Sequence, residues 1–176
     1  MRSADLDLLF VAERGLPEPD HWLTRWSSRL SSARFVMPTA EGTEVDAVVR
    51  SAAQAKKPIF FVAHSTGVIA VVKAAPAMRY FDVRGAFLVA PPAEAALATL
   101  DGGRWGEIPR VKLPFASVVV ASRTDPLASF EDASALAEDW GAELIDAGEV
   151  GRLDAASGHG PWPDGLLRLA GLFQRL

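Results

Sequence analysis

The sequence predicts an α/β protein: a three-layer α/β/α sandwich around a mostly parallel central sheet of about six strands. Short apolar runs rich in Val, Ile and Phe alternate with segments of helical periodicity, which is the pattern of βαβ units. The length of 176 residues suits a single domain spanning residues 1–176. We place the strands at 6–11, 33–37, 59–63, 86–90, 117–121 and 142–145.

Two helices are predicted between the first strands. One begins at the capping residue Thr43, has acidic residues in its first turn, and is expected to end near 57–58. The other, over 66–75, is apolar on almost every side, as expected for a helix packed centrally against a sheet. Pro76 should end it, because proline breaks the helical hydrogen-bond ladder.

The second half of the chain contains two more predicted helices and one long loop. Ser129 and Gly141 are placed as the N-terminal and C-terminal caps of one helix, and the last helix runs over about 164–175. Four prolines and three glycines fall within 91–114, which predicts a long loop with a helical turn near 93–100.

The composition excludes several classes of function. The chain is 49% hydrophobic and 23% charged, too apolar for disorder and too interrupted by charge for membrane spans. Its net charge of −4, with Lys and Arg scattered singly, gives no surface for nucleic acid. It has no cysteine, no metal-binding cluster and no phosphate-binding glycine loop, so no cofactor is implied. The apolar run 6–12 is too short and acidic for a signal peptide, and we expect a cytoplasmic protein.

The segment Ala63-His64-Ser65-Thr66-Gly67 joins a predicted strand directly to a predicted helix. This is the setting of a nucleophile elbow, in which a serine projects from a strained turn between small neighbours. The Thr66 N–H at the start of the helix could then donate to an oxyanion. The alternative is a serine that only caps the helix. The elbow setting predicts a minimal α/β-hydrolase fold without a cap domain, and Ser65 as its nucleophile.

A serine nucleophile needs a base, which in turn needs an orienting acid. Asp125 follows the strand at 117–121, at the sheet edge where α/β sites lie, although Asp125-Pro126 could also be a simple turn. Three histidines could supply the base. His64 adjoins the serine and His21 lies beside two tryptophans, so both are expected to be structural. By spacing alone, His159 is the preferred base.

The substrate of such a site should be a small acyl compound, because no separate cap domain is predicted. Trp105 and Trp162 lie in loops near strand ends and could line an apolar acyl pocket. Packing of these tryptophans onto the core is an equally good interpretation.

Nearly the whole chain resembles the small serine hydrolases that include retinoblastoma-binding protein 9 and YdeN-like proteins. The resemblance rests on His21-Trp22 with Trp26, the turn His64-Ser65-Thr66-Gly67, Ser122 to Asp125-Pro126, Trp140-Gly141, and the block from Gly151 to Gly165. The last block is the most specific, because in the family it contains a Gly-His pair whose histidine is the catalytic base.

The chain departs from this family at the base position, where Gly151-Arg152-Leu153-Asp154 places an arginine. Arginine is cationic at all useful pH values and has no acceptor, so it cannot take the serine proton. We predict that Arg152 pairs instead with Asp125. His159 could then substitute as the base.

Lesser departures are Ala63 in place of the family's usual glycine, and Ala12-Glu13-Arg14 in place of its glycine-containing loop after the first strand. By position in that loop, the second oxyanion N–H would belong to Arg14. Two hypotheses follow: a serine hydrolase of small esters or related acyl substrates, or a catalytically impaired member that binds a ligand or protein in the same cleft.

Overall fold

The computed structural model describes residues 1–13 and 15–175 and contains a six-stranded sheet in the order β2-β1-β3-β4-β5-β6. All five strand pairings are parallel. The strands are β1 (Asp7–Val11), β2 (Ala33–Phe35), β3 (Ile59–His64), β4 (Val83–Val89), β5 (Ser117–Ala121) and β6 (Glu143–Asp146). The predicted α/β class and parallel sheet are confirmed.

Helices cover both faces of the sheet. They are α1 (Trp22–Ser27), α2 (Glu44–Ala53), α3 (Thr66–Met78), α4 (Glu94–Leu97), α5 (Phe130–Trp140) and α6 (Pro163–Arg175), with 3-10 turns at Ser3–Asp5 and Leu100–Gly103. Two separate hydrophobic clusters show the layering: α2, α3 and α5 pack on one face of the sheet, and α1 and α6 on the other. Alternate residues of β1, such as Leu9 and Phe10, enter opposite clusters, as the twofold repeat of a strand requires.

Several element boundaries differ from the prediction; strand β2, for example, ends at Phe35 rather than at 37. Helix α3 does not stop at Pro76 but continues to Met78. The Met78 side chain is buried in the core, and this burial offsets the loss of the helical hydrogen bond that proline cannot donate. Strand β4 begins at Val83, before the apolar run, because Val83 and Gly85 pair with β3 across a register shift that leaves Arg84 unpaired in the ladder. Helix α2 ends at Ala53 rather than near 57–58.

The carboxyl ends of the parallel strands place several predicted site residues at one edge of the sheet. Ser65 follows β3, Asp125 lies in the segment after β5, and Arg152 lies in the segment after β6. Parallel α/β sheets hold their ligand sites at this edge. None of the described helices combines the length and hydrophobicity needed to cross a membrane.

The first turn of α3 packs directly against the end of β1. A Cβ atom added at Gly67 would overlap the backbone carbonyl of Val11. A glycine is therefore required at this position, and the close approach brings the segment after β1 beside Ser65.

We expect Gly67→Ala to lower the free energy of unfolding by about 3 kcal/mol or more, because the added methyl group meets backbone that cannot move aside. Gly171→Ala is the matched control: it lies in α6, where an added Cβ meets nothing within 4 Å, and alanine should stabilise the helix by about 0.5–1 kcal/mol. Urea denaturation measures both effects. Equal stability of Gly67→Ala and the native chain would contradict the close packing.

Candidate active site

Ser65 occupies a strained turn between β3 and α3. Its backbone has φ 54° and ψ −127°, and its N–H donates to the Val89 carbonyl at 3.0 Å. A positive φ in a residue other than glycine costs about 1–3 kcal/mol and persists only where the surrounding structure fixes it. Here the buried strand and helix on either side fix it, so the backbone has the sharp turn that the elbow motif predicts.

The hydroxyl of Ser65 accepts a hydrogen bond from Arg152. The Nη2 atom of the guanidinium lies 2.9 Å from Ser65 Oγ and 3.0 Å from Glu13 Oε2. The Arg152 side chain is 29% exposed and lines the neighbouring cleft, whereas Ser65 is 1% exposed. The guanidinium therefore contacts the buried serine hydroxyl and also lines the cleft, whereas Ser65 itself is not one of the cleft's lining residues.

The predicted ion pair between Arg152 and Asp125 is wrong. Among the described residues, the carboxylate that pairs with Arg152 is Glu13, which directly follows the bridge residue after β1. The guanidinium reaches Ser65 after β3, and β1 adjoins β3, so the segment after β1 brings Glu13 within its reach. Asp125 instead accepts a hydrogen bond from the Leu127 N–H at 2.9 Å. Burial raises the pKa of the Asp125 carboxyl above its usual value, against the opposing effects of Leu127 and Arg152.

The segment that carries Arg152 is held by side chains from other parts of the chain. The Nε2 atom of His64 lies 2.9 Å from the Arg152 carbonyl, and Trp22 Nε1 donates to the Leu153 carbonyl at 2.7 Å. Ser122 and Thr124 accept from the backbone N–H groups of residues 150 and 151, at 3.1 and 3.0 Å. Arg152 is thus fixed through its backbone as well as through its guanidinium.

His21 and His64 are both buried, with exposures of 3% and 4%. His21 caps α1 by accepting the Leu23 N–H at Nδ1, and its ring centroid lies 4.8 Å from that of His64. Burial lowers the pKa of each imidazole to about 4, so both are neutral at pH 7. These contacts agree with the structural roles expected from the sequence.

A cleft of about 360 Å³ lies beside the Arg152 side chain. Its described lining residues share one region, between the segment after β1 and the segment after β6: Ala12, Glu13, Leu16, Pro17, Glu18, His21, His64, Arg152 and Asp154. No group of three or more His, Asp or Glu side chains in the described part of the chain is arranged to hold a metal ion.

His159, Trp105 and Trp162 are absent from the described lining of this cleft. The Nδ1 atom of His159 lies 3.2 Å from the Ser157 carbonyl, and its ring packs edge-on against Trp162. No hydrogen bond joins His159 to Ser65 within the described residues. Trp162 packs in the core against Trp26, and Trp105 is buried in the opposite cluster. Neither tryptophan is among the lining residues of the cleft.

Of the two predicted oxyanion donors, the structure describes only Thr66. Thr66 begins α3, where the first N–H groups have no partner within the helix. Its N–H therefore remains a candidate donor to a bound oxyanion. Arg14 lies outside the described residues.

The sequence did not single out the residues that face Arg152 across the cleft. In the sequence Glu13 stands out only as a departure from the family loop, and no motif points to Glu18 or Asp154. One signal could have found Glu13: an acidic residue just after β1 and an arginine at the base position both depart from the family pattern.

We expect His21 and His64 to remain neutral on NMR titration until the pH approaches 4, because burial opposes their charged forms. Unfolded imidazoles titrate near a pKa of about 6.5, so the unfolded chain binds more protons between these values. The free energy of unfolding should therefore fall as pH decreases from about 6.5 towards 4. His21→Asn keeps a capping oxygen and should weaken this dependence. Ring titrations centred near 6.5 would contradict the burial.

The structure is similar to several solved hydrolases. A protein described as a YdeN-like hydrolase from Pectobacterium atrosepticum is 28% identical, with a TM-score of 0.83 over 97% of this chain and 91% of that chain. The ydeN gene product from B. subtilis is 19% identical, with a TM-score of 0.72 over 96% of this chain and 99% of the other. The RedJ thioesterase from Streptomyces coelicolor is 16% identical, with a TM-score of 0.68 over 97% and 92%.

The last two likenesses show the fold alone. Among curated protein sequences, none matches the chain. The family model for serine hydrolases, in contrast, matches residues 14–171, which include the turn at Ser65 and the segment that carries Arg152. The resemblance found in the sequence is therefore confirmed, and the chain belongs to the serine hydrolase family.

Proposed function

We propose that the Ser65 site binds small acyl compounds, and that Arg152 prevents Ser65 from attacking them at the rate of a serine hydrolase with a histidine base. The observation that carries this proposal is the 2.9 Å contact between Arg152 Nη2 and Ser65 Oγ. A guanidinium stands where the resemblance implies a proton acceptor. The chain is then a hydrolase-family protein whose native form hydrolyses carboxylic esters slowly and acts chiefly as a ligand-binding module.

The hydrogen bond from Arg152 to Ser65 supports the proposal that the hydroxyl proton of Ser65 is not removed efficiently. A serine becomes a nucleophile when a base accepts its proton as the new bond forms. Arginine has only N–H donors and stays charged, so it donates to a lone pair of Oγ and accepts nothing. The bonds from Nη2 to Ser65 and Glu13 also hold the guanidinium at this place.

The remaining features support binding of an acyl group. The strained turn presents Ser65 at the start of α3, where the Thr66 N–H could hold a carbonyl oxygen. A cleft of about 360 Å³ lies beside it, a volume suited to a small ligand. Ser65 and Asp125 are proposed to be the nucleophile and acid positions inherited from active relatives.

Replacing Arg152 with histidine tests the proposal. An imidazole here would have an acceptor nitrogen for the Ser65 proton, and general-base catalysis typically contributes about 10²–10⁴ in rate. We expect kcat/KM for p-nitrophenyl acetate to rise by about that factor in Arg152→His. The gain should vanish in the double variant with Ser65→Ala. A fluorophosphonate probe should label Arg152→His faster than the native chain.

Arg152→Ala is the matched control, since it removes the guanidinium without supplying a base and should not reproduce the gain. Rapid, Ser65-dependent ester hydrolysis by the native chain, unchanged in Arg152→His, would refute the proposal. If His159→Ala abolished that native activity, His159 would be the substitute base that spacing predicts.

A further inference from the structure

The cleft beside Ser65 has an uneven distribution of charge. Its described lining contains three carboxylates, on Glu13, Glu18 and Asp154, and one guanidinium, on Arg152. Arg152 forms its ion pair with Glu13 at 3.0 Å. Two carboxylates therefore face the cleft without a described cationic partner.

Both remaining carboxylates have oxygen atoms available to a ligand. Within the described residues, no donor bonds the side chain of Glu18, which is exposed. Asp154 uses Oδ1 to accept from the N–H and Oγ of Ser157, at 2.9 and 2.7 Å, which leaves Oδ2. Burial alone would raise the pKa of Asp154, but the bonds from Ser157 and the charge of Arg152 hold it below its usual value. Asp154 is therefore charged at neutral pH.

The buried wall of the same cleft holds an unused donor and an unused acceptor. His21 is 3% exposed, and because its Nδ1 accepts from Leu23, its proton lies on Nε2, for which no described residue is an acceptor. His64 is 4% exposed, and because Nε2 must donate to the Arg152 carbonyl, Nδ1 carries the lone pair. No side-chain nitrogen or oxygen of the described residues is both inaccessible and unpartnered, so these two atoms are accessible, and both rings belong to the lining of the cleft.

We infer that this cleft binds small carbonyl compounds that carry an ammonium group, and selects them over neutral counterparts of the same shape. The ammonium would face Glu18 and Asp154, with His64 Nδ1 as a further acceptor. The carbonyl oxygen would keep the Thr66 N–H as its donor, as in the proposed function, and His21 Nε2 would offer a second donor on the cleft side. This inference rests on the proposed function, because it names the class of ligand for the cleft beside Ser65.

Two other ligand classes fit less well. A simple anion would face the carboxylates of Glu18 and Asp154, while the charge of Arg152 is already paired with Glu13. A metal ion would need three or more ligands from one group, and no His, Asp or Glu side chains among the described residues are so arranged.

Alaninamide and isobutyramide are the matched probes, because they share a shape and an amide and differ in an ammonium against a methyl group. Titrations followed by NMR at a pH of about 6.5 keep the amine protonated, since α-amino groups have pKa values of about 7.7–8.0. We expect alaninamide to bind about tenfold more tightly, with shifts at the amides of residues 15–21. The preference should shrink with added salt.

Glu18→Gln and Asp154→Asn should each reduce the preference by about two- to fivefold, the usual size of an exposed ion-pair contribution. Asp154→Asn keeps the side-chain oxygen that accepts from Ser157. Glu138→Gln is the control, because Glu138 is an exposed residue of α5 outside the cleft lining, and it should leave the preference unchanged.

Equal binding of the two amides, binding of neither, or tighter binding of isobutyrate would overturn the inference. These outcomes are distinct from a failure of the proposed function, which would appear as rapid ester hydrolysis by the native chain. The amide probes report binding whether or not Ser65 is reactive.

Discussion

The close approach of α3 to the end of β1 determines the geometry of the whole site. It requires Gly67, because a side chain there would overlap the Val11 carbonyl. The turn before Gly67 then forces Ser65 into a strained backbone conformation at the sheet edge. The same contact brings Glu13 next to Ser65. An arginine that reaches Ser65 therefore meets a carboxylate, and a partly buried guanidinium needs such a partner to be stable there.

Glu13 and Arg152 depart from the family pattern together and form a bonded pair. The segment that carries Arg152 is held through its backbone by His64, Trp22, Ser122 and other side chains. This fixed segment presents an arginine at the position where the resemblance implies a base, and arginine cannot accept a proton. This combination is why we interpret the site as one adapted to binding, and the carboxylates beside it as determinants of which ligand binds.

Much of the fold could be predicted because buried parallel strands are continuous apolar runs, as at Ser117–Ala121. Helix caps could also be predicted: Ser129 is the N-cap of α5 and Gly141 is its C-cap, as expected. The continuation of α3 past Pro76 could not be predicted, because it depends on the burial of Met78 in the folded core. Local sequence also does not predict the pairing of Arg152 with Glu13, because it depends on how the segments after β1 and β6 meet beside Ser65.

The pH dependence of fluorophosphonate labelling at Ser65 tests the central claim most directly, because a probe that reacts with the serine needs the same proton acceptor as a substrate. If a guanidinium occupies the place of the base, the labelling rate of the native chain should show no step near the ordinary imidazole pKa of about 6.5. Arg152→His should introduce such a step. A native profile that already rises through a step near that pH would show that a working histidine serves Ser65, and would contradict the account.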